Sequence, residues 1–119
     1  MVAQERRISP RVRAYRPVRL SPPKTHRVTE TLTKDLGTGG LCCISSTIFP
    51  VSTELQVELT LSEGGGPVTA RGKAVWFRMI PHSEQVDVGI AFLEMPQEHK
   101  RRLSAYLERL ATSTPAFQA

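Results

Sequence analysis

Two groups of residues in this 119-residue sequence have types and spacing suited to chemistry. The first is Arg6-Arg7-x-x-x-Arg11. In an extended chain, residues four apart project to the same side, about 13 Å apart at ~3.3 Å per residue. Arg7 and Arg11 placed that way can clasp the two ends of an anion as large as a dinucleotide. Guanidinium forks pair bidentately with phosphate and with the O6/N7 edge of guanine, and they stack on bases. The second group is Asp35-x-Gly37-x-x-Gly40. A carboxylate there can accept hydrogen bonds from guanine N1 and N2, and glycines let the backbone approach a ligand without a Cβ clash. Taken singly, each also has a plain reading. The first is a solvated basic tail, the second a glycine-rich turn capped by Asp35.

Other candidates carry less. His26, His82 and His99 share no spacing and read as surface residues. Cys42 and Cys43 are adjacent, with no Cys-x-x-Cys or Cys/His pattern, so neither a zinc site nor a disulfide framework is expected. Neither glycine cluster is followed by the Gly-Lys-Ser/Thr of a phosphate loop. Trp76 lies in an alternating segment and is expected in the core. No Ser/His/Asp or Cys/His arrangement and no task-sharing carboxylate pair stands out. The expectation is a binding module, not an enzyme, with no metal and no cofactor.

Charge sharpens the first motif. The net charge is +5 and the pI about 9.8, but residues 1–30 hold eight basic and two acidic side chains, while residues 31–119 hold eight and nine. The basic excess therefore belongs to the N-terminal quarter, which suggests that this segment meets an anion. The length suits one domain. No apolar run reaches the ~18–20 residues of a membrane span, so no membrane insertion and a cytoplasmic location are expected.

The elements that must position these residues are mostly strands. Residues 1–13 read as a flexible arginine-rich arm, 14–111 as the folded domain and 112–119 as a tail. Val12 to Leu20 alternates up to the Ser21-Pro22-Pro23 break, with Pro17 marking an edge or a bulge. Arg27 to Thr33 is β-branched, with Val28 and Leu32 on one face, and leads into the turn-prone Lys34–Gly40. Leu41–Ile44 reads as a buried strand. Glu54–Leu61 alternates with a period of two. Glu63–Pro67 reads as a hairpin connection, Val68–Met79 as a long strand bulged near Val75-Trp76, and Val86–Phe92 as a last strand. From Pro96 the period changes, and Leu103, Tyr106, Leu107 and Leu110 form a helical stripe. A six-stranded antiparallel barrel with a C-terminal helix fits this order, since closure removes sheet edges.

The sequence resembles the PilZ domains, bacterial receptors for cyclic di-GMP. The resemblance rests on Arg7-x-x-x-Arg11, on Asp35-x-Gly37-x-x-Gly40-Leu41, on Ala74-Val75-Trp76 and on Gly89-Ile90-Ala91-Phe92, in that order. It implies a six-stranded barrel with a closing helix. It also implies that Arg7 and Arg11 bind guanine and phosphate and that Asp35, Gly37 and Gly40 belong to the ligand motif. Arg6, just before the first hallmark arginine, implies capture of an intercalated dimer of the nucleotide. Gly37 stands where the family has Ser or Ala. A missing serine hydroxyl forfeits one hydrogen bond, roughly 0.5–1.5 kcal/mol, for which Thr38 is a candidate substitute.

On this reading the chain is a cyclic di-GMP effector whose arm orders on ligand binding and whose signal leaves through an unidentified protein partner. Two rivals are a PilZ-like adaptor that binds no nucleotide and a small-barrel nucleic-acid binder. Nucleic acid is disfavoured because the strands show no row of exposed aromatics for stacking.

Overall fold

The computed structural model describes residues 11–25, 27–61 and 65–113. Its elements are β1 (Val12–Arg13), β2 (Pro17–Ser21), β3 (Thr29–Leu36), β4 (Gly40–Ser45), β5 (Glu54–Leu59), β6 (Val68–Met79), β7 (Val86–Glu94) and α1 (Gln97–Ser113). Antiparallel pairing runs β3-β2-β5-β6-β7-β4, and β4 pairs back onto β3. Six strands thus close into a barrel, as the alternation predicts. The two-residue β1 lies alongside the end of β3, with Val12 opposite Leu36 and Arg13 opposite Asp35.

The period-two pattern fills the barrel. Leu55, Val57 and Leu59 of β5 point inward, as do Val18 and Leu20 of β2 and Val86, Val88 and Ile90 of β7. Burying a side chain of this size is worth about 1.5–3 kcal/mol. Leu103, Tyr106 and Leu107 of α1 join the same core, so the predicted helical stripe faces the barrel. Pro96 immediately precedes α1, and its carbonyl accepts from Lys100 N–H. Among the described residues, no helix is long and apolar enough to cross a membrane.

Two departures from the sequence reading have local causes. The first predicted strand is broken at Ala14–Arg16, just before Pro17. Buried Thr33 patches the break, its hydroxyl donating to Ala14 O (2.6 Å) and accepting from Arg16 N–H (2.9 Å). Next, β3 runs through Lys34–Leu36, residues expected in a turn. The turn is shorter, with Gly37 N–H bonded to Gly40 O at 2.9 Å around Thr38-Gly39. Val28 and Leu32 share a face, as read, and that face is exposed, because Thr33 and Leu36 are the inward residues of β3. At the β5–β6 connection, Gly65 and Gly66 take φ of +82° and +70°, a region that glycine enters without a Cβ penalty. Residues 62–64 of that connection lie outside the described residues.

Candidate anion-binding cleft

Two bulges arrange the outer face of the barrel. In the β3–β4 ladder Thr33 pairs with Cys43 and Asp35 with Cys42, leaving Lys34 as an extra residue. Such an insertion bends the strand and re-aims side chains. Thr33 and Leu36 stay buried, while Lys34 and Asp35 both reach the outside. In the β6–β7 ladder the extra residue is Val75, between the Ala74–Ile90 and Trp76–Gly89 pairs, where the sequence predicts a bulge. Direct cross-strand pairing then sets one lateral row across five strands, Arg13–Asp35–Cys42–Gly89–Trp76.

At one end of this row, Arg11, Arg13, Lys34 and Asp35 line a cleft of about 290 Å³. Arg11 Nη1 lies 2.7 Å from Asp35 Oδ1, an ion pair joining residues from the two sequence motifs. The Asp35 side chain keeps about 32% of its surface exposed, so the pair opens to solvent. Arg13 Nη1 bonds the Tyr15 hydroxyl at 3.2 Å. Three cations and one carboxylate therefore face a small cleft, which suits an anion that also carries hydrogen-bond donors.

Beside the cleft sits a second carboxylate. Asp87 lies on the outer face of β7, yet only 4% of its side chain is exposed, and it is held from two sides. Lys34 Nζ lies 2.9 Å from its Oδ1 and Arg78 Nη2 2.9 Å from its Oδ2. Burial by itself would push this carboxyl up. The hydrogen bonds and charges of Arg78 and Lys34 outweigh that and hold it below its ordinary value. The guanidinium of Arg78 also sits 5.9 Å from the centre of the Trp76 ring, within range of a cation–π contact.

Trp76 is not in the core. It is 37% exposed and lies across Gly89, where an added Cβ would come within 2.2 Å of the indole. The bulge at Val75 leaves Ala74 inward and turns Trp76 outward, which is why alternation misplaces it. Cys42, in the same row, is buried, and burial together with Asp35 and Asp87 pushes its thiol up to about 11. It is a protonated thiol at neutral pH, as is Cys43, pushed up to about 12.

Of the residues singled out in the sequence, Arg11 and Asp35 are brought together at the cleft. Arg6 and Arg7 lie outside the described residues. Gly37 and Gly40 form the hairpin that ends β3, and a Cβ at Gly40 would meet Ile90 O at 2.2 Å. The packing of β4 on β7 therefore demands glycine there. Thr38 lines a separate cavity with Lys100, Leu103 and Ser104 of α1, away from the cleft. Arg13, Lys34, Asp87 and Arg78 were not singled out by sequence. The signal for Lys34 was its place beside Asp35, but the turn-prone residues around it gave no sign of the bulge that makes it the extra residue of β3. His99, read as a surface residue, is half-buried, and its Nδ1 accepts from Thr69 N–H at 3.0 Å.

Solved structures with this fold are numerous. MrkH of K. pneumonia in complex with c-di-GMP is similar with a TM-score of 0.79 and 21% identity, over 93% of this chain and 55% of that one. The PilZ domain with c-di-GMP of YcgR from Escherichia coli gives 0.71 and 15%, over 93% and 95% of the two chains. The Bacillus subtilis inhibitor of motility MotI/DgrA gives 0.77 and 18%, over 92% and 53%. The chain thus spans about half the length of two of these proteins and nearly all of the third. By sequence, no curated protein matches it. The family model of the PilZ domain matches residues 5–109, a span that takes in both motifs, the closed barrel and most of the helix, and the chain accordingly belongs to the PilZ domain family.

Proposed function

We propose that this protein is a receptor for cyclic di-GMP, which it binds at the Arg11–Asp35 cleft and reports through contact with a protein partner. The observation that carries this reading is the pairing of Arg11 with Asp35 at 2.7 Å, residues 24 positions apart that belong to the two motifs of the family. The ligands named in the structures of MrkH and of the YcgR PilZ domain support the same choice.

The chemistry follows from the cleft. Cyclic di-GMP offers two phosphates and two guanines. Asp35 accepts from a guanine N1–H and N2–H edge, and Arg11, once released from Asp35, forks onto a phosphate or a guanine O6/N7 edge. Ligand therefore exchanges one ion pair for two charge-assisted contacts. Arg7 and Arg6 enter from the segment before Arg11, and that segment orders as they do. Arg13 and Lys34 add positive potential at the rim. Gly37 and Gly40 act by shaping the hairpin beneath Asp35. Arg6 extends the cationic array enough for two stacked ligand molecules.

Isothermal calorimetry tests the reading. The wild-type protein is expected to bind cyclic di-GMP, with two molecules per chain, and Arg6→Ala is expected to reduce the stoichiometry to one. The double variant Arg7→Ala/Arg11→Ala is expected to lose binding with an unchanged circular-dichroism spectrum. Retained affinity in that folded double variant refutes the assignment. Absence of binding in the wild type favours an adaptor that uses protein contacts alone. Competition with short DNA, at several salt concentrations, tests the nucleic-acid reading.

A further inference from the structure

At the opposite end of β3 from Asp35, the barrel wall opens. Continuing the β3–β4 register beyond Thr33–Cys43 would bring Thr29 opposite Thr47. The ladder instead stops at that pair, and the Thr31 hydroxyl donates to Ile44 O beside it. Thr29 and Thr47 face each other across a groove of about 530 Å³, bounded by the β2–β3 and β4–β5 loops and lined also by Arg27, Val28, Phe49 and Pro50. That volume lies within the range of sites that hold a small ligand or an anchoring side chain.

Three features of the groove define its occupant. Beyond the Thr33–Cys43 pair β3 is laddered to β2 alone; Thr33 N–H turns to Arg16 O on the β2 side, so by alternation Thr29 and Thr31 spend their backbone groups on β2 and Glu30 directs its N–H and C=O to the groove side. An unpaired edge is a template for a further strand. Buried Phe49 is among the lining residues, and Val28, Ile48 and Val51 stand exposed on the flanking loops, so side chains entering there meet apolar surface. Finally, Arg27 lines the groove, and neither it nor Lys24 in the same loop has a carboxylate partner among the described residues. No acidic residue lines the groove.

We infer that this groove is a docking site for an extended segment of a partner protein, laid beside Thr29–Thr31 with its main chain bonded to Glu30. The segment carries one large apolar side chain, which packs against Phe49, and an Asp or Glu within two positions of it, which pairs with Arg27. Main-chain bonds supply affinity, and the pocket and the cation supply selectivity. A neutral or basic segment would leave Arg27 facing apolar surface or a like charge.

A positional-scanning library of N-acetylated, C-amidated octapeptides, screened against the full chain without nucleotide, tests this. The selected peptides are expected to combine Leu, Ile or Phe with a neighbouring Asp or Glu. Amide chemical-shift changes are expected at Thr29–Leu32 and Thr47–Thr53. Arg27→Glu, on an exposed loop outside the ladders, is expected to weaken the acidic peptides at least tenfold and to bind their Lys-substituted versions instead. Selection indifferent to acidic residues, shifts confined to the Arg11–Asp35 cleft, no binding peptide at all, or self-association through the same amides would each overturn the inference. Because the assay contains no cyclic nucleotide, its failure is separate from failure of the receptor reading.

Discussion

Asp35 and Asp87 sit on the same outer face of the barrel and have opposite surroundings. Asp87 is covered, and cations from β3 and β6 grip both of its oxygens. Asp35 is half-buried, and Arg11 engages one of its oxygens. A carboxylate bonded on both oxygens has little capacity left for a newcomer, whereas one with an oxygen open to solvent can exchange partners. The difference separates a structural brace from a carboxylate able to take a new partner, which is what the role proposed for Asp35 requires. Lys34 is common to both regions, lining the cleft while its ammonium is tied to Asp87.

Substitution should split the two roles, and the largest effect on stability is expected at the brace. Asp87→Asn leaves Lys34 and Arg78 facing a neutral side chain. Removing one partner of a fully buried pair costs about 3–5 kcal/mol; since Lys34 and Arg78 both reach solvent, a loss of about 2 kcal/mol is expected in chemical denaturation. If the loss were as small as for a surface pair, Asp87 would not be a brace. Arg11→Ala should weaken cyclic di-GMP binding by roughly 10–100-fold, about 1.4–2.7 kcal/mol. Its midpoint of unfolding should stay near that of the wild type. An equal fall in stability and affinity would erase the distinction.

A smaller effect on stability is expected for Gly89→Ala. The new methyl displaces the indole, so Trp76 fluorescence should shift to the red and stability should fall by about 1–2 kcal/mol. An unshifted spectrum would mean that the ring does not rest on the glycine. Asp35→Asn should weaken ligand binding yet alter stability by no more than about 1 kcal/mol, as befits a part-exposed pair. The smallest effect concerns acid. The Asp87 carboxyl titrates below its ordinary value in the folded chain, so its contribution is present above the unfolded value of 3.8 and is lost as pH falls through the depressed one. Wild type and Asp87→Asn should therefore converge in stability below pH ~4, and parallel curves would contradict the assignment.

The same comparison explains what could be read from the sequence. Alternation in β5 and the Leu103–Leu110 stripe depend on burial alone, and both appear in the structure as expected. Arg11 and Asp35 were legible because of their motifs. Asp87 was not, because it alternates as an outward residue, and its burial comes from Lys34 and Arg78 folding over it. Trp76 was misplaced although the bulge beside it was foreseen. A one-residue insertion reverses every later side chain on its strand, and residue types alone do not say which residue is the extra one. The groove at Thr29 and Thr47 lies further from view, since it exists only where two strands fail to continue a ladder.

The Lys34 bulge has a consequence for length variation. Without that residue the segment would read Thr33 inward, Asp35 outward, Leu36 inward, which is an uninterrupted strand. The third cation of the cleft thus sits on the one residue that interrupts an otherwise regular strand pairing. A chain shortened there would keep the Asp35 carboxylate on the outer face while losing both a cleft charge and half of the grip on Asp87. Within one architecture, deletion of one residue is a route to a weaker or differently tuned relative.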